Sequence, residues 1–140
     1  MIKNEFDIII TANSPGEVAT WLTPAVKALK ERLPGAKITV FTPPCTFASG
    51  REAAVVAALP EVNQTFNARQ LLSFVIGGRK LPNFEPGPHG IVLFLGGDLA
   101  YAALLARKLG YLAYAYTEGR VQWASRFAGF LLPDDQARMK

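Results

Sequence analysis

Hydrophobic residues in this chain change their period several times. Phe6 to Ala12 contains Ile8-Ile9-Ile10, apolar at every position. A strand covered on one face alternates, so a continuous apolar run marks a strand buried on both, as in a parallel sheet. From Glu17 to Leu33 the period lengthens. Val18, Leu22, Ala25, Val26, Leu29 and Leu33 share one helical stripe. Pro24 lies inside that stripe and lacks an N–H, which predicts a kink or a delayed start to the regular helix. Pro34-Gly35 stops it. Lys37 to Thr42 reads as a β-branched strand ended by Pro43-Pro44. Ser49 to Leu59 reads as a helix with Ala53, Val56, Ala57 and Leu59 inward, closed by Pro60. Glu61 to Phe66 reads as a short strand, and Ala68 to Ile76 as a short helix on Leu71, Leu72 and Val75.

The glycine- and proline-rich stretch Gly77 to Gly90 is a loop dividing the chain in two. A second copy of the pattern follows. Ile91 to Leu95 is a fully apolar strand, Gly96-Gly97 a turn, and Asp98 an N-cap candidate. Leu99 to Leu109 is a helix that Gly110 stops. Tyr111 to Tyr116 and Phe127 to Leu131 are strands, and Pro133-Asp134-Asp135 opens a last helix. Alternating strands and helices predict an α/β fold: a Rossmann-like three-layer sandwich, with a mostly parallel sheet and helices on both faces. Residues 1–140 read as a single such domain. The chain stops a turn or two into its last helix, which leads us to expect the N-terminal domain of a longer two-domain protein.

Composition narrows the class. The chain has 140 residues, half of them hydrophobic and 19% charged, which excludes a disordered segment. The net charge is +4. The bases are scattered in runs of no more than two, unlike the dense stripe of a nucleic-acid binder, so no nucleic-acid partner is expected. Cys45 is the lone cysteine, so no internal disulfide forms. The N-terminus has no signal-peptide apolar region. The most apolar window, Ile91 to Ala106, is interrupted by Gly96-Gly97-Asp98. These features predict a cytoplasmic protein. Arg79-Lys80 beside Leu81 and Phe84 has the composition of a loop in peripheral contact with a membrane, against the plainer reading of a solvated loop.

Candidate chemistry lies beyond the carboxyl ends of the strands, where ligands of such sheets bind. After the first strand comes Asn13-Ser14-Pro15-Gly16-Glu17. It is neither a G-x-G-x-x-G dinucleotide loop nor a P-loop. Glu17, in the first turn of a helix, has two readings: a charge that only caps the helix, or a base that accepts or removes a sugar hydroxyl proton. Asn13 and Ser14 are turn formers or polar ligand contacts. Gly96-Gly97 allows close backbone approach to a ligand, and Asp98 either caps the helix or binds beside it. Glu118, in Thr117-Glu118-Gly119-Arg120, is a turn residue or a polar contact. His89 is the only histidine and reads as a surface residue; with one His and one Cys, a zinc site has no support.

Three blocks carry a resemblance: N-x-P-G-E-V-A-x-W after the first strand, LGGDLAYAALLARKLGYLAYAYTEG, and RFAGFLLPDD. Together they resemble bacterial lipid-A-disaccharide synthases and their relatives. More loosely, they resemble the N-terminal half of the GT-B glycosyltransferases that build cell-wall and lipid-linked sugars. Where those enzymes carry an S-G-D-type sequence, this chain has Ser14-Pro15-Gly16-Glu17 and keeps an acid. The resemblance implies an acceptor-side domain in an enzyme moving a sugar, of the N-acetylglucosamine type, from a UDP-sugar to a lipid-linked or glycan acceptor. The donor would bind a C-terminal domain beyond this chain. It implies that Asn13, Ser14, Gly16 and Glu17 line the interdomain cleft, with Gly97, Asp98 and Glu118 nearby and Glu17 as the catalytic residue. It implies no metal and no cofactor, and a place in the cytoplasm, with peripheral contact at the inner membrane face. Two other classes fit the same element order: a non-catalytic flavodoxin-like binding or regulatory module, and one half of a sugar-nucleotide epimerase.

Overall fold

The computed structural model describes residues 6–12, 22–43, 56–95, 99–116 and 129–131. Six strands form one sheet: β1 (Asp7–Thr11), β2 (Lys37–Phe41), β3 (Gln64–Phe66), β4 (Gly90–Phe94), β5 (Leu112–Tyr116) and β6 (Gly129–Leu131). Their order is β3-β2-β1-β4-β5-β6, and every neighbouring pair is parallel. The helices with described bounds are α1 (Thr23–Arg32), α2 (Ala68–Val75) and α3 (Leu99–Leu109). Val56 and Ala57 are also helical. This is the Rossmann-like α/β sandwich expected from the periodicity.

The continuous apolar runs have the cause inferred for them. Asp7 to Thr11 are all buried, and successive side chains enter opposite layers. Ile8 and Ile10 join Leu22, Val26, Ile38, Val40 and Val56 on the α1 side. Ile9 joins Phe41, Leu71, Phe74, Val92, Ala102 and Leu105 on the side of α2 and α3. Each fully buried Ile or Val contributes about 1.5–3 kcal/mol.

Element boundaries follow local chemistry. The described part of α1 starts at Thr23 with Pro24 in its first turn, where a missing N–H costs nothing. Residues 17–21 of the expected helix lie outside the described residues. Leu33, expected on the buried stripe, is the C-cap and is 46% exposed. Ala57, expected inward, is exposed, whereas Val56 is buried in the core and Leu59 packs partly buried against it; Ala53 lies outside the described residues. The third strand begins at Gln64 rather than Glu61. The Val62 N–H is drawn into a turn with the Leu59 carbonyl (3.1 Å), and Asn63 is bonded to Ile38. α2 is opened by a capping box: the Asn67 side chain accepts from the Gln70 N–H (2.9 Å), and the Gln70 side chain accepts from the Asn67 N–H (2.8 Å). Gly110 ends α3 with φ +73°, a conformation that glycine adopts without strain.

Candidate functional site at the carboxyl edge

The chain leaves β1 toward β2 on one side, and leaves β4 toward β5 on the other. The topological switch point therefore falls between β1 and β4, the place where sheets of this class bind ligands beyond the carboxyl ends of their strands. In register, Thr11 stands beside Phe41 of β2 and Phe94 of β4. Backbone pairing continues one residue past each strand. The Ala12 N–H donates to the Phe41 carbonyl (3.3 Å), the Leu95 N–H to the Thr11 carbonyl (2.9 Å), and the Thr42 N–H to the Phe66 carbonyl (3.0 Å). The roots of the ligand-edge turns are thus fixed, buried points on the sheet.

All seven sequence-derived site residues, Asn13, Ser14, Gly16, Glu17, Gly97, Asp98 and Glu118, lie outside the described residues. What the sheet establishes is where their segments begin. Residues 13–17 leave from Ala12 at the end of β1, and residues 96–98 leave from Leu95 at the end of β4. These roots are on adjacent strands, about 5 Å apart. Glu118 belongs to the segment that leaves β5, one strand farther on. At the N-terminus of α2 the capping box occupies the Asn67 and Gln70 N–H groups.

Polar residues missed by the sequence reading stand at this edge. Thr11 is fully buried, and its hydroxyl has no hydrogen-bond partner among the described residues. Thr42, 4% exposed, donates its hydroxyl to the Phe66 carbonyl (3.3 Å). The available signal was a threonine closing each of the runs Ile8-Ile9-Ile10-Thr11 and Ile38-Thr39-Val40-Phe41-Thr42. Below them an aromatic group braces the ends of β2 and β3. The Phe41 and Phe66 ring centroids are 5.2 Å apart, and Phe84 meets Phe41 edge-on at 5.9 Å. Phe84 and the buried Leu81 therefore face the core, which removes them from the membrane-contact loop outlined above.

The opposite edge of the sheet is closed by a different network. Asp7, 2% exposed, accepts the Gly87 N–H at Oδ2 (2.7 Å), and its own N–H donates to the His89 carbonyl (3.1 Å). The Tyr111 hydroxyl donates to the Gly87 carbonyl (2.6 Å) and lies 3.4 Å from Asp7 Oδ2. Burial, and then the adjacent Asp7 carboxylate, push the Tyr111 pKa up to about 12. The His89 side chain is exposed at this edge, far from the switch point, consistent with the surface role read for it. Among the described residues, no three His, Cys, Asp or Glu side chains gather as a metal site would require. No helix among them is long and apolar enough to cross a membrane.

No protein-family model and no curated protein matches the chain. Among solved structures it is similar to ADP-heptose LPS heptosyltransferase II of E. coli, with a TM-score of 0.56 and 16% identity. The similarity covers 94% of this chain and 36% of the heptosyltransferase, so the chain spans about a third of that protein's length. At this identity the likeness shows the fold alone, a Rossmann-like α/β sandwich shared with part of that protein, and gives no particular tie to lipid-A-disaccharide synthase.

Proposed function

We propose that this chain is the acceptor-side domain of a GT-B glycosyltransferase. The observation that carries the proposal is the placement of two turns. The acid-bearing segment 13–17 and the glycine-rich segment 96–98 are rooted side by side at the switch point of an all-parallel sheet. The fold likeness to a heptosyltransferase supports the same reading. In this reading Glu17 removes the proton from an acceptor hydroxyl as its oxygen bonds to the anomeric carbon. The bond from that carbon to the donor's phosphate breaks, and the nucleoside diphosphate leaves with the electron pair. Asn13, Ser14, Gly16, Gly97, Asp98 and Glu118 hold the acceptor around that carbon. The leaving phosphate is stabilised by a helix N-terminus and side chains of a second domain rather than by a metal. The donor is a UDP-sugar of the N-acetylglucosamine type, and the acceptor is a lipid-linked sugar.

Two measurements test this. In the complete two-domain enzyme, Glu17→Gln lowers turnover by about 10²-fold or more with either UDP-N-acetylglucosamine or an ADP-sugar as donor. An unchanged rate removes Glu17 from the mechanism. The chain of 140 residues alone, titrated calorimetrically with UDP-N-acetylglucosamine, shows no tight binding. Tight binding would place the donor in this domain and overturn its assignment to the acceptor side.

A further inference from the structure

We draw no further inference here: the strongest candidate, the apolar flank of β4 and β5 on the α1 side of the sheet, where Leu112 stands 60% exposed beside the half-buried Ile91 and Tyr114, carries nothing, because nothing among the described residues shows what covers it.

Discussion

The two edges of the sheet are built on opposite plans. At the amino edge, residues far apart in sequence are tied together: Asp7 to Gly87 and His89, Tyr111 to Gly87, and Asn63 to Ile38 through both side chain and backbone. At the carboxyl edge, backbone pairing holds the strand ends. One hydroxyl, on Thr42, donates to a carbonyl, and another, on Thr11, is buried with no partner among the described residues. Among the described residues the difference lies in the long-range side-chain ties, not in uncommitted atoms, because Asp7 Oδ1 at the amino edge is also buried without a partner among them. Latching at the amino edge aligns six parallel strands without occupying the edge where ligands of this fold class bind.

The largest effect expected from breaking this comparison is at Gly90. A Cβ there would lie 2.6 Å from the Asp7 carbonyl oxygen and 2.6 Å from Tyr111 Cε2. The first contact is backbone, and the second is a ring held by the hydroxyl's bond to Gly87, so neither neighbour can yield cheaply. Gly90→Ala should lower unfolding stability by about 3 kcal/mol in urea titration. A loss below about 0.5 kcal/mol would mean that the amino edge is looser than its hydrogen bonds imply.

A smaller effect, with a diagnostic pH profile, is expected at Tyr111. Tyr111→Phe removes the donor to the Gly87 carbonyl and should cost about 1–2 kcal/mol at neutral pH. The folded state holds the phenolic proton more tightly than the unfolded chain does, because its pKa rises from 10.0 to about 12. That contribution to stability is complete below pH 10 and is lost as the pH climbs from about 10 to about 12. Urea midpoints measured across that window should fall more steeply for the parent than for Tyr111→Phe. Parallel profiles would show that the phenol does not report on this latch.

How much of each edge was legible in the sequence follows from the range of the interactions. The strands of the sheet announced themselves through runs such as Ile8-Ile9-Ile10 and Ile91 to Leu95, because burial on both faces leaves a local mark. The order of strands and helices then sufficed for a mostly parallel sheet with ligands beyond its carboxyl ends, whereas the β1–β4 neighbourhood that sets Ala12 beside Leu95 became visible only in the strand pairing. The amino-edge latch left no such mark. Asp7 meets Gly87 and Tyr111 only after the sheet has assembled, and hydrogen bonds across that separation impose no period on the chain. The start of β3 was misjudged for the same reason: Asn63 is claimed by Ile38 of the neighbouring strand. Ile76 was read into the α2 helix and Leu81 onto the surface, because a short helix followed by a glycine pair does not reveal which residue turns back to the core.

The smallest expected effect concerns the unpartnered hydroxyls and sharpens the comparison most. Thr11 and Thr39 are both fully buried, share the α2–α3 side of the sheet with Ile9, and have hydroxyls without partners among the described residues. Thr39 stands beside Ile9 in mid-sheet, and Thr11 closes β1 at the carboxyl edge. Valine has nearly the same shape, so replacing either threonine removes a desolvated hydroxyl without opening a cavity. Thr39→Val should leave stability unchanged or raise it by up to about 1 kcal/mol, and Thr11→Val should do the same. If Thr11→Val instead cost about 1 kcal/mol or more while Thr39→Val did not, the Thr11 hydroxyl would be bonded to the turn that follows β1. The carboxyl edge would then be latched much as the amino edge is, and the contrast between the two ends of the sheet would no longer mark the ligand side.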